Sequence, residues 1–284
     1  MVYRALRDRS ARRCMSAAIG LDHVALAVRD LDAGAAAWQA LGFSLTPTAV
    51  HADGAGVPTG TGNRCAMLRH GYIELIAVID PARPSRTLAG FIARHEGAHI
   101  LSLAIDDAAA AEARLRQAGF DITPTATTRT TEGGEARFER LPVTSAVPRL
   151  QLVRQLTPEL VWRAEDMVHP NRAAALEGVL IVSDQPADLA ALLSRVAGRP
   201  VRPAPAGGFV LALPEGEVRI LPPDALRTDL PGIVIPPLPC IAGLVVGTSD
   251  NNTAVSMMAI GRKVAGGYLA KAAGAAILFK PQVA

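Results

Sequence analysis

Four side chains with metal-donor atoms recur at nearly constant spacing in the first half of this 284-residue chain. His23 and His99 lie 76 positions apart, and Glu74 and Gln151 lie 77 apart. Imidazole nitrogen and carboxylate oxygen suit a divalent metal ion such as Zn, Fe, Mn, Ni or Co. Gln151 offers a neutral carbonyl where a second carboxylate would add charge, and the set leaves one or two positions open to water or substrate. An open site of this kind polarises a carbonyl, stabilises an enediolate or, with iron, activates dioxygen. Glu74 is the most informative of the four. It sits within IELIAV, which otherwise reads as an apolar strand, and burying an unpaired carboxylate there is expensive. Glu74 is therefore the candidate catalytic residue as well as a ligand.

The surrounding landmarks keep the same register. Asp30 and Asp106 are 76 apart, and Gly42-Phe43 and Gly119-Phe120 are 77 apart. LDHVALAVRD, a helix closing at ALGF, and GYIELIAV form one block; AHILSLAIDD, LRQAGF and RLQLVRQ form the next. Each predicts strand, helix, strands, with Asp30 or Asp32 as N-cap and Gly42 as the residue ending the first helix. Alternate side chains of a strand share a face. Two like modules packed together therefore bring one ligand from each of four strands into a common cavity. Arg69-His70-Gly71 and Thr131-Glu132-Gly133-Gly134 read as hairpin turns. Asn63 and Arg64, beside the Gly-rich loop HADGAGVPTGTG, are the candidate substrate-binding residues, because arginine recognises carboxylate or phosphate bidentately.

The chain divides into a flexible leader (1–19), a first lobe (20–165) and a second lobe (173–284). The crossover LTPELVWRAEDMVHPN carries Trp162 and His169, which pack or wall a pocket. Two further strand–helix patterns follow, but their chemistry decays. The first-strand positions become Glu177 and Gly243, and the fourth-strand positions Arg219 and Ile277, so the second lobe reads as structural or as a cover. With half the residues hydrophobic and 19% charged, the chain is a packed globular protein. The net charge is only +3, and Arg4, Arg7, Arg9, Arg12 and Arg13 are confined to the leader, which excludes a nucleic-acid stripe. No apolar run is long enough to span a membrane. Cys14, Cys65 and Cys240 are far apart and odd in number, which fits a reducing cytoplasm.

LDHVALAVRDLDAGAAAWQALGF with TGTGNRCAMLRHGYIELIAV resembles the first module of the vicinal oxygen chelate superfamily, within it the glyoxalase-like group. RQLTPELVW and VHPN resemble that group's segment after the second module. The resemblance covers residues 20–172. It implies an α+β fold of tandem βαβββ modules, four in this chain and two per lobe, forming curved mixed sheets. It also implies a divalent ion held by His23, Glu74 and His99, with Gln151 where glyoxalase I-type members place a Glu. The implied substrate is a small, vicinally oxygenated molecule, processed by lyase or isomerase chemistry through a metal-stabilised enediolate. An Fe-dependent dioxygenase is the less favoured activity, because the two-lobed dioxygenases keep their metal in the C-terminal lobe. Metal-free sequestration of a small molecule is the alternative, since members of the superfamily also bind without metal. A homodimer is compatible with this architecture, although four modules can pair internally. His95-Glu96-Gly97-Ala98-His99 matches a zinc-protease pattern, but Gly97 and the following ILSLAI predict a strand, not the single helix face that chemistry needs. The glycines at 54, 56, 60 and 62 do not open onto a helix, so they make no dinucleotide fingerprint.

Overall fold

The computed structural model describes residues 17–205, 207–249 and 261–281; most of the leader, with Cys14, lies outside them. The first lobe contains β1 (Gly20–Ala27), α1 (Leu31–Ala40), β2 (Ala49–Asp53), β3 (Pro58–Met67) and β4 (Tyr72–Val78). It continues with α2 (Arg86–Arg94), β5 (Gly97–Ala104), α3 (Ala108–Gln117), β6 (Thr125–Thr131), β7 (Gly134–Val143) and β8 (Arg149–Gln155). Its eight strands close into a barrel in the order β1-β4-β3-β2-β6-β7-β8-β5. α1 begins where the Asp30 carboxylate accepts the N–H groups of Asp32 and Ala33. The chain turns out of it at Gly42, whose φ is +80°; a Cβ there would come within 2.9 Å of Asn171 Cβ. α2 is an element the sequence pattern does not announce. Ser85 caps it by accepting from Leu88 N–H, and His95 ends it. The protease-like motif is thereby split, with His95 at a helix end and His99 on β5.

The ladder between β1 and β5 decides which side chains reach the barrel interior. Leu21 pairs with Leu103 and His23 with Ser102, so Asp22 is an extra residue on β1. Ala25 pairs with Ile100 and Leu26 with Ala98, so His99 is the extra residue on β5. Across the parallel ladders, Ala25 pairs with Glu74 and Ser102 with Gln151, which fixes the module offset at 77. The counterpart of His23 is therefore Ile100, and the counterpart of His99 is Asp22. A one-residue offset in a strand exchanges one face for the other, and a bulge is where such an offset arises.

After α4 (Pro158–Val161) in the crossover, the second lobe contains β9 (Ala173–Val182), α5 (Pro186–Ala197), β10 (Arg202–Pro203), β11 (Phe209–Ala212), β12 (Glu217–Leu221) and α6 (Pro223–Asp229). It ends with β13 (Cys240–Thr248), β14 (Arg262–Val264), β15 (Gly267–Ala272) and β16 (Ala275–Pro281). Its sheet runs β10-β11-β12-β9-β13-β16-β15-β14, the permutation of the first lobe left open at its two ends. The two lobes share one apolar cluster: Leu26, Trp38, Phe43 and Leu103 join Val179, Ile181, Ile277 and Phe279. The Phe43 and Phe279 rings stack at 5.7 Å. This continuous core fixes the outer surface of the barrel and leaves its inner face for chemistry. No described helix is long and apolar enough to cross a membrane.

Candidate functional site in the first barrel

The barrel interior holds a chain of buried polar groups. Asp22 Oδ1 lies 2.6 Å from His23 Nδ1, and His23 Nε2 lies 2.8 Å from Ser102 Oγ. Gln151 donates its amide N–H to the same Ser102 oxygen at 2.7 Å, and Gln155 donates to both Asp22 oxygens at 3.1 and 2.9 Å. These partners assign the roles. Nδ1–H of His23 donates to the Asp22 carboxylate, so Nε2 presents its lone pair inward and accepts from the Ser102 hydroxyl. The bulge makes this possible, because it brings the Asp22 carboxylate onto the ring of the residue that follows it. His23 also stacks on Tyr72, with ring centres 4.6 Å apart.

Glu74 enters from β4. Its Oε1 accepts from Asn63 Nδ2 at 2.5 Å and lies 3.4 Å from His51 Nε2, while its Oε2 lies 3.7 Å from His23 Nε2. Burial works to raise the Glu74 pKa, but the hydrogen bond from His51, the positive charge that His23 and His51 carry when protonated, and the Asn63 contact outweigh it and hold the carboxyl well below the usual range. Glu74 is thus ionised inside the barrel. His51 is itself held through Nδ1 to Thr61 Oγ1 at 3.0 Å.

The structure brings His23, Glu74, Asn63 and Gln151 into this one network. It does not bring His99 there. The His99 ring stacks on Phe91 at 4.6 Å, its centre lies 4.1 Å from that of His95, and its Nε2 donates to the His95 carbonyl at 2.9 Å. Burial lowers the pKa of both rings, His95 to about 4. Arg64 also points elsewhere. It alternates with Asn63 along β3, and its Nε donates to the Thr46 carbonyl at 3.1 Å. In the crossover, Trp162 lies edge-on to Tyr72 with ring centres 5.8 Å apart, and His169 joins Met67 O and Ser44 N–H. Sequence reasoning missed Asp22, Ser102, His51 and Gln155. Asp22 was adjacent to a named residue; Ser102 and Gln155 lie on strands already singled out and His51 on a short one, with nothing in residue type to say that they face the site.

The donor set fits a divalent ion, with fewer strong ligands than the sequence suggested. A ligand histidine usually gives its other N–H to a carboxylate, and His23 does so to Asp22. Glu74 Oε2 faces the same point, and Asn63 Oδ1 is buried with no partner among the described residues. Among the described residues, however, no three His, Cys, Asp or Glu groups converge as a metal cluster. Any remaining protein ligands would be the neutral amide oxygens of Gln151 and Asn63.

Paired α+β modules bent into a barrel around a polar centre place the fold in the vicinal oxygen chelate superfamily. The chain belongs to the family described as a glyoxalase-like domain, which matches residues 21–197. Among solved structures it is similar to a hypothetical protein from Staphylococcus aureus (14% identity, TM-score 0.67, covering 93% of this chain and 99% of that one). It is similar to the Mn(II)-bound glyoxalase from Novosphingobium aromaticivorans (14% identity, TM-score 0.57, 95% and 84% covered). It also resembles a mutant 4-hydroxymandelate synthase from Streptomyces coelicolor (16% identity, TM-score 0.56, 85% and 74% covered). At these identities the likeness concerns the fold. No curated protein sequence matches the chain.

Proposed function

We propose that this protein is a metal-dependent enzyme of the glyoxalase-like family, acting on a small, vicinally oxygenated molecule inside the first barrel by lyase or isomerase chemistry. The observation that supports it best is the convergence of His23 Nε2 and Glu74 Oε2, 3.7 Å apart, with the imidazole oriented by Asp22. His23 and Glu74 would hold the divalent ion, with Gln151 as a neutral donor after its amide turns from Ser102. A Mn(II)-bound glyoxalase of the same fold makes manganese a natural first ion to try. When bound, the ion would supply Lewis-acid polarisation of the substrate oxygens. The chain's own residues do the rest. Asn63 and His51 fix one Glu74 oxygen; the other would hold the ion or, if displaced from it, accept a proton from a substrate carbon and return it to the neighbouring carbon. Asp22 holds the His23 ring in place, Ser102 would release Nε2 to the ion, and Tyr72 and Trp162 wall the interior against water.

Elemental analysis of protein purified without chelator or affinity metal, beside Glu74→Ala and His23→Ala, tests this reading. Near-stoichiometric metal in the wild type and its loss in both variants is the expected result. No metal after incubation with Zn, Mn, Fe, Ni and Co, or full loading in both variants, would defeat it. That outcome would favour metal-free sequestration, to which the displaced His99 and the Gln151–Ser102 bond already lend support.

A further inference from the structure

Two arginines inside the barrel have no carboxylate partner. Arg129 on β6 is 6% exposed and pairs across the ladders with His51 on β2 and Ala136 on β7. Its Nη1 donates to Cys65 Sγ at 3.3 Å, a weak acceptor whose thiol is pushed up to about 12 by burial and so stays neutral at pH 7. The guanidinium carbon lies 5.7 Å from the ring centre of Tyr72 and 5.5 Å from that of Phe138. Arg140 projects from the same face of β7, two residues beyond Phe138, and its buried Nε has no partner. Neither guanidinium forms an ion pair among the described residues. The interior carboxylates make their hydrogen bonds elsewhere, Asp22 with His23 and Gln155, and Glu74 with Asn63 and His51, although the charge of Glu74 still favours both guanidinium cations.

A buried cation is costly unless something pairs with it. Aromatic faces offset part of that cost for Arg129, but its planar fork is left for an acceptor that the protein does not provide. A carboxylate matches the fork with two parallel hydrogen bonds. The outward-facing Arg64 cannot serve, since it is tied to Thr46 on the other face of β3.

We propose that Arg129 seats an organic carboxylate, so that the ligand of this barrel is a small oxygenated acid whose acid group lies against β6. The acid seat stands on Arg129 alone; only the placing of the remaining oxygens at His23 and Glu74 rests on the proposed reaction site.

Calorimetric titration with acetate and its neutral isostere acetamide tests the seat, with inorganic phosphate as a third probe and metal content measured on the same samples. The wild type should bind acetate about tenfold or more tightly than acetamide, and Arg129→Met should bring that ratio to about one. Arg129→Lys keeps the charge without the fork; if Met at this site unfolds the protein, the Lys variant should still lose about threefold or more of the preference. A wild-type ratio near one, or a preference undiminished in Arg129→Met or, where that variant does not fold, in Arg129→Lys, overturns the proposal. Phosphate binding that exceeds acetate about tenfold and vanishes in Arg129→Met would overturn the assignment to carboxylate. A wild type without metal that still prefers acetate would uphold the seat while removing the metal reading, so the two fail separately.

Discussion

The two lobes use one strand permutation for opposite ends. In the first, the seam between β2 and β6 closes the barrel, and the inner face carries His23, Glu74, Ser102 and Gln151. In the second, the same positions can be read from the ladders. Val28 N–H donates to Ile76 O as Ser183 N–H donates to Leu221 O, so Leu180 and Arg219 stand where Ala25 and Glu74 stand. The site's counterparts are then Gly178, Arg219, Val245 and Leu278. Val245 and Leu278 belong to an apolar cluster with Leu180, Val182 and Leu221, and Arg219 is paired with Asp229 at 2.8 Å. Polar chemistry is retained where the sheet closes on itself, and hydrocarbon fills the sheet that stays open. A buried carboxylate needs hydrogen-bond partners, and closure at the seam brings His51 to Glu74.

The contrast is sharpest at the charged positions. Glu74→Ala should cost about 3–5 kcal/mol in urea unfolding, because it strands the cations around it, whereas Arg219→Met in the second lobe should cost under about 1 kcal/mol. Equal losses would show that the two interiors are not different in kind. Since the folded pKa of Glu74 lies below its usual 4.5, its contribution is complete above that pH and is lost as pH falls further.

Exchanging the neutral pair is the next test. Val245→Ser with Leu278→Gln should destabilise the second lobe by roughly 2–5 kcal/mol, since the buried amide loses both apolar contacts and water. The reverse exchange, Ser102→Val with Gln151→Leu, removes both partners of one hydrogen bond and should cost about 1–2 kcal/mol, mostly from the unpaired His23 nitrogen. Unfolding of each double variant by denaturant checks the order.

Asp22→Asn should weaken metal binding about 10–100-fold, because the wrong His23 tautomer is favoured; Glu177→Gln, at the equivalent bulge of β9, should leave binding unchanged in the same titration. The smallest effect concerns the bulge residue His99 and its neighbour. Both rings have pKa values lowered by burial, so the unfolded chain takes up protons first. Stability should be complete above about 6.5 and decline as pH falls toward 4, by about 1 kcal/mol or less given the partial exposure of His95. Replacing His95 with Phe should flatten that slope in thermal unfolding between those pH values.

Much of this fold was legible in the sequence. β-branched alternation marked β1 and β4, Asp30 and Gly42 marked the ends of α1, and Gly71 and Gly134 marked turns that the structure forms with positive φ. Glu74 stood out because its neighbours are apolar. His99, expected as a ligand, lies outside the interior network for a definite reason. A count of 76 from His23 lands on His99, but the ladders run at 77, and the bulge that absorbs the difference leaves no mark in residue type. The interior arginines were hidden differently: Arg129 lies in TATTRTT, which reads as an exposed polar strand until the barrel folds its inner face away from water.

The seam itself is short, pairing His51 with Arg129, Ala52 with Thr128 and Asp53 with Thr127. It joins two halves of a site encoded 78 residues apart, and it does so by register alone. A slip of one position would turn one of His51 and Arg129 outward relative to the other. A chain that closes in the wrong register therefore presents the imidazole or the guanidinium alone, and only the correct register brings both to one interior.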